Sequence, residues 1–542
     1  MPQNESTQQS GVGNQVAKAS IVVGLAHFLL KFAGLIQAVI AGRYLAQGTY
    51  EAIYVIAFEG VIFTIFLIGE EVIGPAFLPV FKGLEDEGDR KGAWLFANTF
   101  LTLHALALMI VTGALLCFPE AIIRTLNDWD VTRPENYREA VIGLNWLAPA
   151  LICLSLGSTT YMLLNAYKRF FLAAFADATW KLTTVVAMIL GIGFLGMDYR
   201  ALLIGLLVGS VVKLLTHLVG LCREWRYLRP TLMLRQTALK RVWLLMLPLI
   251  VGILLAKFRD LINNQIVLAD LEEGLLQANS FGRKLFQGFA NMVPYAVSIA
   301  MFPFLCELVD RNEKEKLGQL MTQSCRMLLA FFVPGMVVLA ILSRPISIVL
   351  FKGGEVSLEA SELAGLSSAC YMLVLPAFAL EFILMQGYFA SRKMVSVTVI
   401  GASWSMISVA ISCLGVWSFG VAGASALAVI ALGYVFSRTG KTITLMFYLR
   451  RSIPLFADKG TGAFFAKLII LALGCGLAAY AGWTISSQIF DTMSKVHLMI
   501  GLCTAQGAAT IAYFLGAWLL KLHEVQTLLS WAFSKVLRKL RH

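Results

Sequence analysis

Charged side chains interrupt stretches that are otherwise apolar: Lys31, Glu59, Glu70, Glu71, Asp177, Lys181, Lys257, Arg259, Asp260, Arg283, Lys284 and Glu381. A charge near the middle of a hydrocarbon layer costs roughly 2.5–3.5 kcal/mol on insertion scales, so each should face a partner or a watery cavity. Lysine and arginine so placed can grip phosphate oxygens through charge-assisted hydrogen bonds. The plainer alternative is that they pair with nearby carboxylates, and Lys284 can simply snorkel. His27, one turn before Lys31, reads as a core histidine. Metal chemistry finds no support. The nine cysteines are scattered about one per stretch without a CxxC, and read as small core residues. The six histidines are equally scattered, and no GxxxxGK[ST] phosphate loop occurs. Neither cofactor nor nucleotide is expected, and no large loop could house an enzyme's active site.

The elements that carry these charges are long and apolar. Hydrophobic residues make up 58% of the 542 and charged residues 14%. Fourteen runs near membrane-spanning length are predicted: 20–46, 53–81, 94–118, 141–165, 171–196, 201–222, 241–269, 275–306, 317–343, 360–389, 394–418, 420–447, 462–485 and 496–520. Only helices or closed barrels satisfy the backbone in lipid, and runs of this length suit helices rather than the shorter strands of a barrel. The fold class is therefore an all-α polytopic membrane protein. Its net charge of +12 does not point to nucleic acid. The basic residues gather in alternate loops, as in Lys168-Arg169, Arg223 to Lys240, and Arg450-Arg451. That alternation places both termini in the cytoplasm. Residues 1–18 read as a polar tail, and 521–542 as a basic amphipathic helix on anionic lipid.

Two echoes suggest an internal duplication. Ala76-Phe77-Leu78-Pro79 is matched by Ala300-Met301-Phe302-Pro303, at an offset of 224 in the numbering. Leu164-Asn165-Ala166-Tyr167 is matched by Met385-Gln386-Gly387-Tyr388, at an offset of 221. The predicted organisation is an N-lobe of six helices (19–222), a basic linker (223–240), a C-lobe of six helices (241–452) and two further helices (460–520). Repeats of this kind mark alternating-access transporters, whose site lies between the halves.

With these motifs the chain resembles the MurJ/MviN lipid II flippases of the multidrug/oligosaccharidyl-lipid/polysaccharide exporter superfamily. The run Glu70-Glu71-Val72-Ile73-Gly74-Pro75-Ala76-Phe77-Leu78-Pro79 resembles the family's Glu-Gly-Ala-Phe-Ser-Gln-Ala-Phe-Val-Pro. Pro248, Gly252, Asn263 and Arg283 follow the family's spacing, as does Leu350-Phe351-Lys352-Gly353-Gly354. The chain departs from the family in its cations. The family's Ser-Arg-x-x-Gly-x-x-Arg falls on Leu30 to Gln37, keeping one cation as Lys31, and a later arginine falls on Ile65. The family's acidic residue at the start of the second span falls on Ala52, beside Glu51.

The resemblance implies flipping of a polyprenyl-diphosphate-linked cell-wall precursor across the bacterial inner membrane. Lys31, Arg283, Lys257, Arg259 and Lys181 would bind the substrate, while Glu59, Glu70 and Asp260 would gate or couple. Subtracting 224 from Arg283 reaches Glu59, so these two are expected to face each other and close a gate. The last two helices would form a groove for the lipid tail. Partners are the glycolipid and membrane lipids, with no nucleic acid. Rival readings are an exopolysaccharide or O-antigen repeat-unit flippase, and a multidrug cation antiporter.

Overall fold

The computed structural model describes residues 32–290, 292–391, 393–458, 460–489 and 494–526. Lys31, His27, the polar segment 1–18 and the basic tail beyond Gln526 lie outside them. Helices carry nearly all of the described chain. In order they are α1 (32–44), α2 (Gln47–Asp86), α3 (Arg90–Cys117), α4 (Pro134–Ala166), α5 (Phe171–Phe194), α6 (Arg200–Gly220) and α7 (Thr237–Ala269). There follow α8 (Leu275–Ala290), α9 (Met292–Asp310), α10 (Lys314–Phe351), α11 (Leu358–Met372), α12 (Leu375–Ala390), α13 (Met394–Ser418), α14 (Gly423–Arg450), α15 (Thr461–Ile489) and α16 (Lys495–Leu519).

Among the described residues, ten helices are long and apolar enough to cross a membrane. The pair α11–α12, bent by 45°, makes an eleventh if read as one span. The remaining expected spans differ in kind. Helix α14 carries Arg438, Lys441 and Arg450, and 275–306 is divided between α8 and α9. The chain is a multi-pass membrane protein.

It packs as two compact units. One holds residues up to Ser280 with Gly353–Ser357 and Ser412–Gly423; the other holds Phe281–Lys352, Leu358–Ile411 and the chain from Ala424. Helix α7 belongs to the first unit because it packs along α2. The core of that unit is aromatic: Phe77 stacks on Phe81, Phe96 and Phe100 at 5.1–5.7 Å between ring centres. Small residues bring α5 and α6 together, since a Cβ at Gly209 would lie 2.5 Å from the Trp180 carbonyl. The segment after α6 is strapped to α3: Asn98 donates to the Tyr227 carbonyl at 2.7 Å, and Gln236 donates to Thr99 at 3.0 Å. In the second unit α10 packs with α15 and α16 around Leu329, Leu468, Leu471 and Cys475.

The helix ends repeat at a fixed interval. After α2, Asp89 N–H donates to Leu84 O and Gly88 is left-handed (φ 82°); after α9, Glu313 N–H donates to Leu308 O and Asn312 is left-handed (φ 55°). Both are six-to-one helix caps, which need a residue that tolerates positive φ. After α4, Arg169 N–H donates to Leu164 O; after α12, Lys393 N–H donates to Tyr388 O. Helices α5 and α13 both end in a π-helical turn followed by a left-handed glycine, Gly196 and Gly420, each at φ 65°. Every one of these pairs is related by the same offset of 224 in the numbering. The turn after α4 therefore repeats at 224. That corrects the interval of 221 given by matching Tyr167 with Tyr388, because the backbone bonds pair Leu164 with Tyr388.

Candidate functional site: the intramembrane charge clusters

Helix α2 carries most of the acidic groups of the first unit. Glu51 is fully buried near its start and accepts from the backbone N–H groups of Gly274 (2.8 Å) and Gln277 (3.1 Å). Its carboxylate thus satisfies bare N–H groups at the beginning of α8, where the helix dipole favours an anion. Gly274 has φ 98°, which glycine adopts at no steric cost. Arg133 closes the arrangement, with Nη1 3.6 Å from Glu51 and another N–H donating to the Leu271 carbonyl. Arg133 lies 5.4 Å over the Trp129 ring, whose indole donates to Ala269 O at 3.0 Å.

Two helical turns on, Glu59 accepts from Ser280 at 3.3 Å. Arg259 is nearly buried and folds onto its neighbour, donating to Asp260 Oδ1 at 2.6 and 2.9 Å. The Asp260 carbonyl accepts from Asn264, which accepts in turn from Asn279 at 3.1 Å.

A third group lies where α2, α5, α6 and α7 approach. Lys213 of α6 is fully buried, with its ammonium 2.7 Å from Asp177 of α5 and 4.5 Å over the ring of Phe66. His217, one turn further on α6, shares a 3.0 Å hydrogen bond with Thr160 of α4. Phe66 precedes Glu70 by one turn, so Lys213 reaches the same face of α2. Glu70 lies in the electrostatic field of Lys213, Asp177, Glu71 and Lys257. Lys257 of α7 is bound to Glu71 at 2.5 Å. Lys181 of α5 is half-buried, 5.4 Å over Trp180, and its ammonium is close enough to Gly34 that a Cβ there would sit 2.9 Å away.

The second unit has a different cluster. Glu381 of α12 is buried and accepts from Arg438 (2.5 Å) and Lys441 (2.7 Å), both on α14. Arg438 also lies 5.1 Å over Phe378 and 5.5 Å over Tyr434. Arg283 is half-buried on α8. An apolar groove of about 1100 Å³ runs between α10 and α16, with Phe289, Phe331, Val338, Cys475, Leu502 and Phe514 in its walls.

Of the site residues expected from sequence, Glu70 and Lys257 come together, as do Arg259 and Asp260. Glu59 and Lys181 sit in separate surroundings in the first unit, and Arg283 belongs to the second. Lys31 lies outside the described residues. Sequence reasoning missed Lys213, Arg133, Arg438 and Lys441. The signal for Lys213 was available: it is the one Lys or Arg between Ala201 and Cys222, in an unbroken apolar run. For Arg438 and Lys441 it was Glu381 itself, a lone acid in a span that required a counter-charge.

Comparison with known proteins decides the lineage. A family model described as "Lipid II flippase MurJ" matches residues 41–501, most of the chain. The chain belongs to that family. Among relatives, the "Probable lipid II flippase MurJ" of Rhizobium meliloti is 25% identical over 335 residues, covering 60% of this chain and 61% of that protein. That of Borreliella burgdorferi is 22% identical over 462 residues, covering 82% of this chain and 89% of its own length. Among solved structures, a lipid II flippase MurJ in an inward closed conformation superposes with a TM-score of 0.72 at 16% identity, over 93% of this chain and all of that one. An inward-facing multidrug resistance MATE family transporter reaches 0.67 at 11% identity, over 80% and 97%. At these identities the structural likeness speaks for the fold.

Proposed function

We propose that this protein flips a polyprenyl-diphosphate-linked cell-wall precursor, lipid II or a close analogue, across the bacterial inner membrane by alternating access. The observation that carries this reading is the family match across residues 41–501. The protein is then a transporter and makes or breaks no covalent bond. Lys31, Lys181, Lys257, Arg259 and Arg283 are proposed to meet the diphosphate. For Lys257 and Arg259 this requires exchange of Glu71 and Asp260 for phosphate oxygens, which accept from the same donors. Glu59 and Arg283 are proposed to close a gate between uses, with Glu70 and Asp260 in coupling. The groove lined by α10 and α16 suits an isoprenoid chain, being apolar along its length. With both termini cytoplasmic, a negative interior favours outward movement of an anionic headgroup by about 2.3 kcal/mol per uncompensated charge per 100 mV.

The lost family cations, at Gln37 and Ile65, favour one rival: a flippase for an exopolysaccharide or O-antigen repeat unit with a less anionic headgroup. One experiment separates them. The chain should restore growth to bacteria depleted of their essential lipid II flippase, with newly exposed precursor on the outer leaflet. Failure there, with rescue of a strain lacking an O-antigen flippase, would transfer the reading to the rival. Extrusion of lipophilic cations alone would favour the multidrug antiporter.

A further inference from the structure

Glu70 is the odd charge of its cluster. Among the described residues, Asp177 has Lys213 at 2.7 Å and Glu71 has Lys257 at 2.5 Å, whereas Glu70 has no cation within ion-pair distance. It is half-buried and stands between these satisfied pairs, so its nearest fields come from two cations already engaged and two carboxylates that repel it. A carboxylate in that position lowers its free energy by taking a proton, through both burial and like-charge repulsion. The remaining neighbours do not supply a counter-charge. Helix α4 carries no Asp, Glu, Lys or Arg from Val141 to Ala166. His104 of α3 is engaged with Thr159, and His217 of α6 with Thr160. Lys181, one turn beyond Asp177, reaches toward Gly34.

We infer that Glu70 is a proton-binding site and that the carried ion of this transporter is a proton, moved opposite to the lipid. This rests on the flippase reading for its second half only. One proton from the external aqueous phase is taken onto the Glu70 carboxylate and later released to the cytoplasm, while Lys213 stays paired with Asp177 throughout. The means of coupling is local. Ionised Glu70 competes with Asp177 for Lys213 and draws α2 toward α6; protonated Glu70 releases it. The helix is weakest just beyond this point, where Pro75 and Pro79 each remove a backbone N–H and Gly69 and Gly83 have open space beside them.

Two measurements on the full chain test this. Infrared difference spectra of the purified protein, in detergent and without substrate, should contain the carbonyl stretch of a protonated carboxylic acid that titrates with pH. The band should vanish in Glu70→Gln and persist in Glu71→Gln, with thermal unfolding confirming that both variants fold. Persistence in Glu70→Gln, or no titrating band in the parent, overturns the proton site. In vesicles holding lipid II at clamped membrane potential, an inward proton gradient should accelerate outward flipping several-fold in the parent and not in Glu70→Gln. Equal acceleration in both, or none in either while flipping proceeds, overturns the coupling. If no lipid II moves under any condition, the flippase reading fails, and the infrared result still decides the proton site.

Discussion

The charge clusters of the two units occupy matching positions of the repeat, yet they are built with acid and glycine exchanged. Adding 224 to Gly157, Asp177 and His217 reaches Glu381, Gly401 and Lys441. In the first unit the acid comes from α5 and the glycine from α4; a Cβ at Gly157 would lie 3.1 Å from Lys213 Cε. In the second the acid comes from α12 and the glycine from α13, where a Cβ at Gly401 would lie 3.4 Å from Lys441. Each glycine leaves room for a lysine stem, and each acid answers the lysine from the other side. The charge balance is opposite. One lysine faces Asp177 with Glu70 in reserve, whereas one glutamate faces both Arg438 and Lys441. A cluster with a spare acid can change its charge by one proton. A cluster whose single acid is held by two cations keeps its charge and acts as a fixed brace.

The largest test of that contrast is Glu381→Leu. It strands two buried cations, and the expected loss is about 3–5 kcal/mol, read as a lower thermal midpoint in detergent. Adding Arg438→Met and Lys441→Met should restore most of it, because an apolar replacement of a whole ionic group costs little. A smaller effect is expected from Asp177→Leu, about 1–3 kcal/mol, since Glu70 remains to serve Lys213. Equal losses in the two variants would show that Glu70 is no reserve, and the comparison would break. The smallest effects sharpen the glycine exchange. Gly401→Ala should change stability by less than about 1 kcal/mol in the favourable direction, from helix propensity. Gly157→Ala, with its closer contact to the fully buried Lys213, should lower stability in the same melts.

Much of this architecture is legible along the chain. Apolar runs of spanning length reveal a polytopic helical protein because lipid offers the backbone no other partner. The echo of Pro79 in Pro303 revealed the interval of 224 that the helix caps at Gly88 and Asn312 repeat. The site was less readable. Lys257, Arg259 and Glu70 announce themselves as charges in apolar surroundings, but their partners lie on other helices. Glu71 is 186 residues from Lys257, and Arg438 is 57 from Glu381. Glu51 looked like a near miss beside Ala52; only folding turns it toward the N–H groups of Gly274 and Gln277.

Composition and spacing by themselves determined that this chain crosses a membrane many times, that it is duplicated, and that its buried charges must be answered. Tertiary structure decided which charge answers which, because helices from distant parts of the chain converge and only their packing sets a distance of 2.7 Å between Lys213 and Asp177. It also decided which acid is left over. Hydropathy is local and can be read in order; electrostatic compensation depends on separation in space.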